Sequence, residues 1–249
     1  MSGDWAPLAW LVVILIPLLL LTRWLSRHLQ GAALLYTGDD QLALLLHYLI
    51  LLPGILLHEL SHLLAAQLVG VKTRGISMRP QVGRGGAVRF GAVTVAKSDP
   101  FRESWIGFAP LLTGTAVILL LARWQFGTEA PPAVRPETLR LLLAPSLWAP
   151  DVLMRIYLIF AISNAMWPSE SDRQPWGAVL LFLGLIAGVF YVSGLPPYLP
   201  LELKRWVTTA VTYLCLAFGL AAAVDIPFAL LLFTLERLGE RLLHRHVEY

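Results

Sequence analysis

The run His58-Glu59-Leu60-Ser61-His62 carries the residue types of a metal-assisted hydrolytic site. Residues four apart on a helix share a face, so both imidazoles can reach one ion. Glu59 lies one step round the same helix. Two neutral imidazoles suit Zn²⁺ and leave positions for a third ligand and a water. The ion would bring the pKa of that water down towards about 7, ready to attack a carbonyl. Glu59 would then take the proton as general base and later return it. The alternative reading is a hydrogen-bonded polar cluster that joins helices. The surroundings favour the metal, because ionisable residues in a membrane span are expensive and mark function by default.

A tetrahedral catalytic site wants a third protein ligand, usually His, Glu or Asp. His28, His244 and His246 fall in flanking or tail segments. His47 precedes His58 by 11 residues, which is about 16 Å along a helix axis, and is expected at the opposite interface. The acidic candidates are Glu170 and Asp172. Asn164, just upstream, has two readings. It can hydrogen-bond a substrate backbone or the tetrahedral oxyanion, as a catalytic residue, or it satisfies carbonyls freed by Pro168. Asp225, near Pro227, is expected to cap a broken helix, and Arg155 fits an i,i+4 pair with Asp151.

The elements that must position these residues are membrane spans. The chain has 249 residues, 57% hydrophobic and 14% charged, against about 25% charged in soluble domains. Its apolar residues come in blocks long enough to cross a bilayer core of roughly 30 Å as helices. Spans are expected at about 5–25, 42–69, 104–123, 152–168, 177–195 and 207–235. The first is too long for a signal-peptide core and is read as a retained span. The last either continues unbroken or breaks near Pro227 and runs on as an interfacial helix. Leu139–Trp148 is too short to cross and is expected along the surface. The net charge of +3 does not argue for nucleic acid, because the basic residues sit between apolar blocks, where they set topology. Cys215 is the single cysteine, so disulfides say nothing of compartment.

Residues 71–97 read differently. They are Gly-rich and basic, Val88–Val95 has strand character, and Pro80–Gly86 would supply a turn, so a small β-hairpin is expected. With six spans, 11 of the 19 Lys and Arg residues collect on the side of the N-terminus and this segment. That excess predicts both termini and the hairpin in the cytoplasm.

With those residues in view, the chain resembles the site-2 protease family of intramembrane zinc metalloproteases. Members carry a His-Glu-x-x-His helix, a membrane-associated β segment and a span opening near Gly-Pro. A later span ends in an Asn-Pro-rich stretch leading to Leu-Asp-Gly, whose Asp is the third ligand. Here Asn164-Ala165-Met166-Trp167-Pro168-Ser169-Glu170-Ser171-Asp172 matches that stretch, and the separation from Asn164 selects Asp172 over Glu170. Gly107-Phe108-Ala109-Pro110 is similar to the third-span motif. Ser171 and Arg173 depart from the Leu and Gly that flank the family Asp, Pro168 stands one place late, and no PDZ domain is expected in these residues. The likeness covers about residues 42–175, the expected catalytic core of one membrane domain spanning 1–249.

The resulting expectation is an all-α polytopic membrane protein of about six spans with a small cytoplasmic β-hairpin, seated in the cell membrane. His58, His62 and Asp172 would hold zinc, Glu59 and Asn164 would serve catalysis, and the partners would be the lipid bilayer and a membrane-protein or membrane-bound peptide substrate. The resemblance further implies that a hairpin edge holds the unwound substrate by strand addition. Two other classes compete: a metal- or proton-conducting transporter, which needs polar residues lining further spans, and an inactive scaffold that keeps the site for structure.

Overall fold

The long apolar runs fold as helices whose ends follow local chemistry. Asp39 opens one of them by accepting the backbone N–H groups of Gln41 and Leu42 at 2.8 and 2.9 Å, as an N-cap does. Gly70 follows its last turn with φ +72°, in the left-handed region where glycine has no Cβ penalty. A computed structural model of the protein describes residues 6–82, 88–126, 150–193 and 201–244. In chain order the elements are α1 (Ala6–Thr37), α2 (Asp40–Leu68), β1 (Thr73–Val82), β2 (Val88–Val95), α3 (Pro100–Phe126), α4 (Pro150–Ala165), α5 (Glu170–Arg173), α6 (Trp176–Val192) and α7 (Leu201–Leu243). The expected surface segment Leu139–Trp148, the tail residue His246 and residues 83–87 lie outside the described residues.

Several of these helices are long and apolar enough for an integral membrane protein. Four pass by length and composition: Ala6–Thr37, Asp40–Leu68, Pro100–Arg123 and Arg205–Leu243. A fifth is gained if Asp151–Ala165 and Glu170–Ile186, bent by 58°, count as one broken span. The expected six would require α4 and α6 to cross separately, and at 16 and 17 residues each is shorter than the usual span of about 20. The outer surface fits a lipid setting. Large apolar side chains such as Val13, Leu20, Leu45, Leu120, Leu181 and Leu230 are exposed, an arrangement water would penalise.

Helix packing follows from small residues at close approaches. A Cβ at Gly54 would overlap the Ala161 carbonyl oxygen, so the glycine lets α2 and α4 touch backbone to backbone. Around this contact the buried core gathers Leu51, Ile55, Ile118, Phe160, Phe218 and Val224 from four helices. Prolines stand inside α1, α2, α3 and α7 at positions 17, 53, 110 and 227. Neighbouring helices re-satisfy the backbone groups that such prolines free.

Of the two readings of the last span the structure bears out the unbroken one, and the expected cap within it needs correction. α7 runs unbroken through Pro227 for 43 residues. Asp225 therefore caps no broken helix; it is wholly buried inside a continuous one. His47 is buried within the bundle. The Arg155–Asp151 ion pair is present on α4 as expected.

β1 and β2 pair antiparallel, from Thr73 opposite Val95 to Val82 opposite Val88. Pro80 belongs to β1, not to the turn expected over Pro80–Gly86. It sits where the register shifts, and an irregularity of that kind tolerates a residue without an N–H. Both strands contact α2.

Candidate metal centre

α2 presents His58 and His62 one turn apart, with Nε2 atoms 3.0 Å from each other. Asp172, from α5, closes the group. Its Oδ2 lies 3.7 Å from His58 Nε2 and its Oδ1 3.5 Å from His62 Nε2. Zinc bonds of about 2.0–2.1 Å in tetrahedral geometry put ligand atoms about 3.3 Å apart. The three separations bracket that value, so this donor set fits a small divalent cation. Among the described residues this is the one group of His, Cys, Asp and Glu able to hold a metal ion, and Glu170, which is exposed, is not part of it.

The orientation of both rings is fixed from behind. His58 Nδ1 lies 2.8 Å from the Ala165 carbonyl oxygen, and His62 Nδ1 lies 2.9 Å from that of Ile106. A carbonyl only accepts, so each Nδ1 carries the proton and each Nε2 keeps its lone pair. Two such lone pairs facing one another at 3.0 Å require positive charge between them, from a proton or a metal ion. A metal-bound imidazole usually has this backing, which sets its tautomer and direction.

Those two carbonyls are available for a reason written in the sequence. Ile106 stands four residues before Pro110, which has no N–H to complete the helical bond. Ala165 ends α4, and Pro168 stops the helix there. Ser169, four residues after Ala165, sends its N–H to Asp172 Oδ2 at 2.7 Å instead. The break that frees a carbonyl for His58 thus also turns the chain into α5 and orients its carboxylate.

α3 supplies a second constraint beside Ile106. A Cβ on Gly107 would overlap the Asp172 carbonyl oxygen, so only glycine admits α5 at this depth. One step on, Ser61 and Thr113 hydrogen-bond through their hydroxyls and hold α2 to α3. Glu59, next to His58 on α2, is buried.

Asn164 goes elsewhere. Its amide donates to Phe160 O at 2.9 Å and to Asp225 Oδ1 at 3.0 Å, so it is joined to α7 and not to the His–Asp group. One bond closes on its own helix and the other reaches a neighbour. The sequence did not reveal the parts played by Ile106, Ala165 and Gly107. Prolines placed three or four residues after a backbone carbonyl are the signal that would have found the first two.

The chain matches no protein-family model, no curated protein and no solved structure.

Proposed function

We propose that this protein is a zinc metalloprotease that hydrolyses peptide bonds in or near transmembrane segments of other membrane proteins. The observation that carries the reading is the convergence of His58, His62 and Asp172 within an apolar helical bundle, with Glu59 buried alongside. A zinc ion in that group would polarise a water and the scissile carbonyl. Glu59, next to His58 on α2, would accept a proton from the attacking water and return it to the leaving amine. His58 and His62, with protons held on Nδ1, present unprotonated Nε2 atoms. The extended substrate would lie along an edge of the β1–β2 hairpin by strand addition. This agrees with the resemblance to the site-2 protease family.

The deciding experiment compares purified wild type with Glu59→Gln for zinc content and for cleavage of a membrane-peptide substrate. Both should hold about one zinc per chain, while Glu59→Gln should lose activity by about 10²–10⁴-fold. Equal cleavage by the two would sink the protease reading. A transport reading draws on one feature, the carboxyl of Asp225 buried in α7; cation flux in vesicles without peptide cleavage would favour it.

We further propose that the hairpin faces the cytoplasm, in a chain of six spans with both termini on that side. Seven basic residues lie between Lys72 and Arg102, and the positive-inside rule acts through such short segments near span ends. A cysteine introduced at 72–86 should resist an impermeant thiol reagent in intact cells, and one at 128–138 should react. The reverse pattern would overturn the orientation.

A further inference from the structure

A second polar cluster adjoins Ala165, whose carbonyl backs His58. Asp225 is wholly buried in α7. Its Oδ1 accepts the Asn164 amide at 3.0 Å and lies 3.0 Å from the Ser163 hydroxyl, which can donate to it. Ser163 and Asn164 occupy the last turn of α4, immediately before Ala165, whose carbonyl receives the His58 Nδ1–H. That turn has no helical continuation to hold it, because the chain breaks before Pro168. The hydrogen bonds to Asp225 therefore tie the free end of α4 to α7, as the His58 bond ties it to α2.

A carboxyl inside a membrane bundle is costly, and a hydroxyl and a carboxamide are the donors it has here. Asp225 Oδ2 and Asn164 Oδ1 are buried and have no hydrogen-bond partner among the described residues. Packing alone would be served as well by an apolar side chain. The arrangement makes sense if the direction of the α4 terminus matters.

We propose that Asp225 is a positioning residue for the metal site: through Ser163 and Asn164 it fixes the end of α4 and with it the Ala165 carbonyl that orients His58. The inference rests on the reading of His58, His62 and Asp172 as metal ligands. Outer contacts that orient a ligating histidine commonly change metal affinity by about 10–100-fold.

The test uses the full chain purified in detergent, with zinc affinity measured by chelator competition and Co²⁺ as a visible probe of ligand geometry. Asp225→Ala should bind zinc about tenfold more weakly and shift the cobalt absorption bands, whereas Asp225→Asn, which keeps an acceptor for Asn164, should restore both. A folded Asp225→Ala protein with wild-type affinity and cobalt spectrum overturns the inference while leaving the metal site intact. Should that variant fail to fold, Ser163→Ala decides: weakened binding supports the inference and unchanged binding overturns it. Wild type that takes up no metal, indistinguishable from His58→Ala, sinks the metal reading first and this inference with it.

Discussion

Two polar clusters sit back to back at the end of α4, and they are built on different rules. In the first, His58, His62 and Asp172 turn ligand atoms towards one another, and each imidazole is backed by a carbonyl. In the second, Ser163 and Asn164 point donors at Asp225, while one oxygen of Asp225 and one of Asn164 are left with no partner among the described residues. The first places acceptor against acceptor, an arrangement that a proton or a metal ion would satisfy. The second places donor against acceptor and so holds two helices together. Both concentrate polar atoms in an apolar bundle, so polarity alone does not separate a ligand site from a structural bridge. The direction of the lone pairs does.

The comparison breaks first at the histidines. His58→Ala and His62→Ala should each lose zinc by more than the 10–100-fold typical of outer contacts, read as metal per chain by elemental analysis. Asp172→Ala should follow, since on the proposed reading its carboxylate would supply the third ligand, while Glu170→Ala should retain near-wild-type zinc. Full zinc in either histidine variant would turn the first cluster into another bridge. The opposite order of the two acidic variants would transfer the third ligand to Glu170.

A smaller effect is expected at the wall between α3 and α5. Gly107→Ala should push α5 outward, because the added methyl overlaps the Asp172 backbone. Overpacking of this kind costs about 1–3 kcal/mol. The variant should therefore melt at lower temperature and also bind zinc more weakly, which thermal unfolding with and without zinc would show. Loss of stability with unchanged zinc affinity would mean that Gly107 serves packing only.

Much of the first cluster was legible because it is local. A spacing of four on a helix puts His58 and His62 on one face whatever the rest of the chain does, and the apolar blocks declare the membrane. The span count was less legible. α4 and α6 are short and meet at a bend, so length and composition support four or five crossings where the residue pattern suggested six. Pro227 left open whether the last span breaks, and the helix runs through it. Within a bundle, neighbouring helices compensate for a missing N–H, and a single-residue rule does not register them.

The sequence by itself determined the membrane class, the shared face of the two histidines and the narrowing of the third ligand to Glu170 or Asp172. The family resemblance favoured Asp172, and only the tertiary structure shows that it is Asp172 that lies against both histidines while Glu170, two residues away on the same short turn, is exposed. Which one faces His58 depends on the angle at which α5 leaves the Pro168 break and on the space left by Gly107. The link from Asp225 to α4 was likewise beyond the sequence, since its partners lie 61 and 62 positions away. Helical periodicity fixes neighbours within a turn, whereas contacts between helices are set by how whole apolar faces pack.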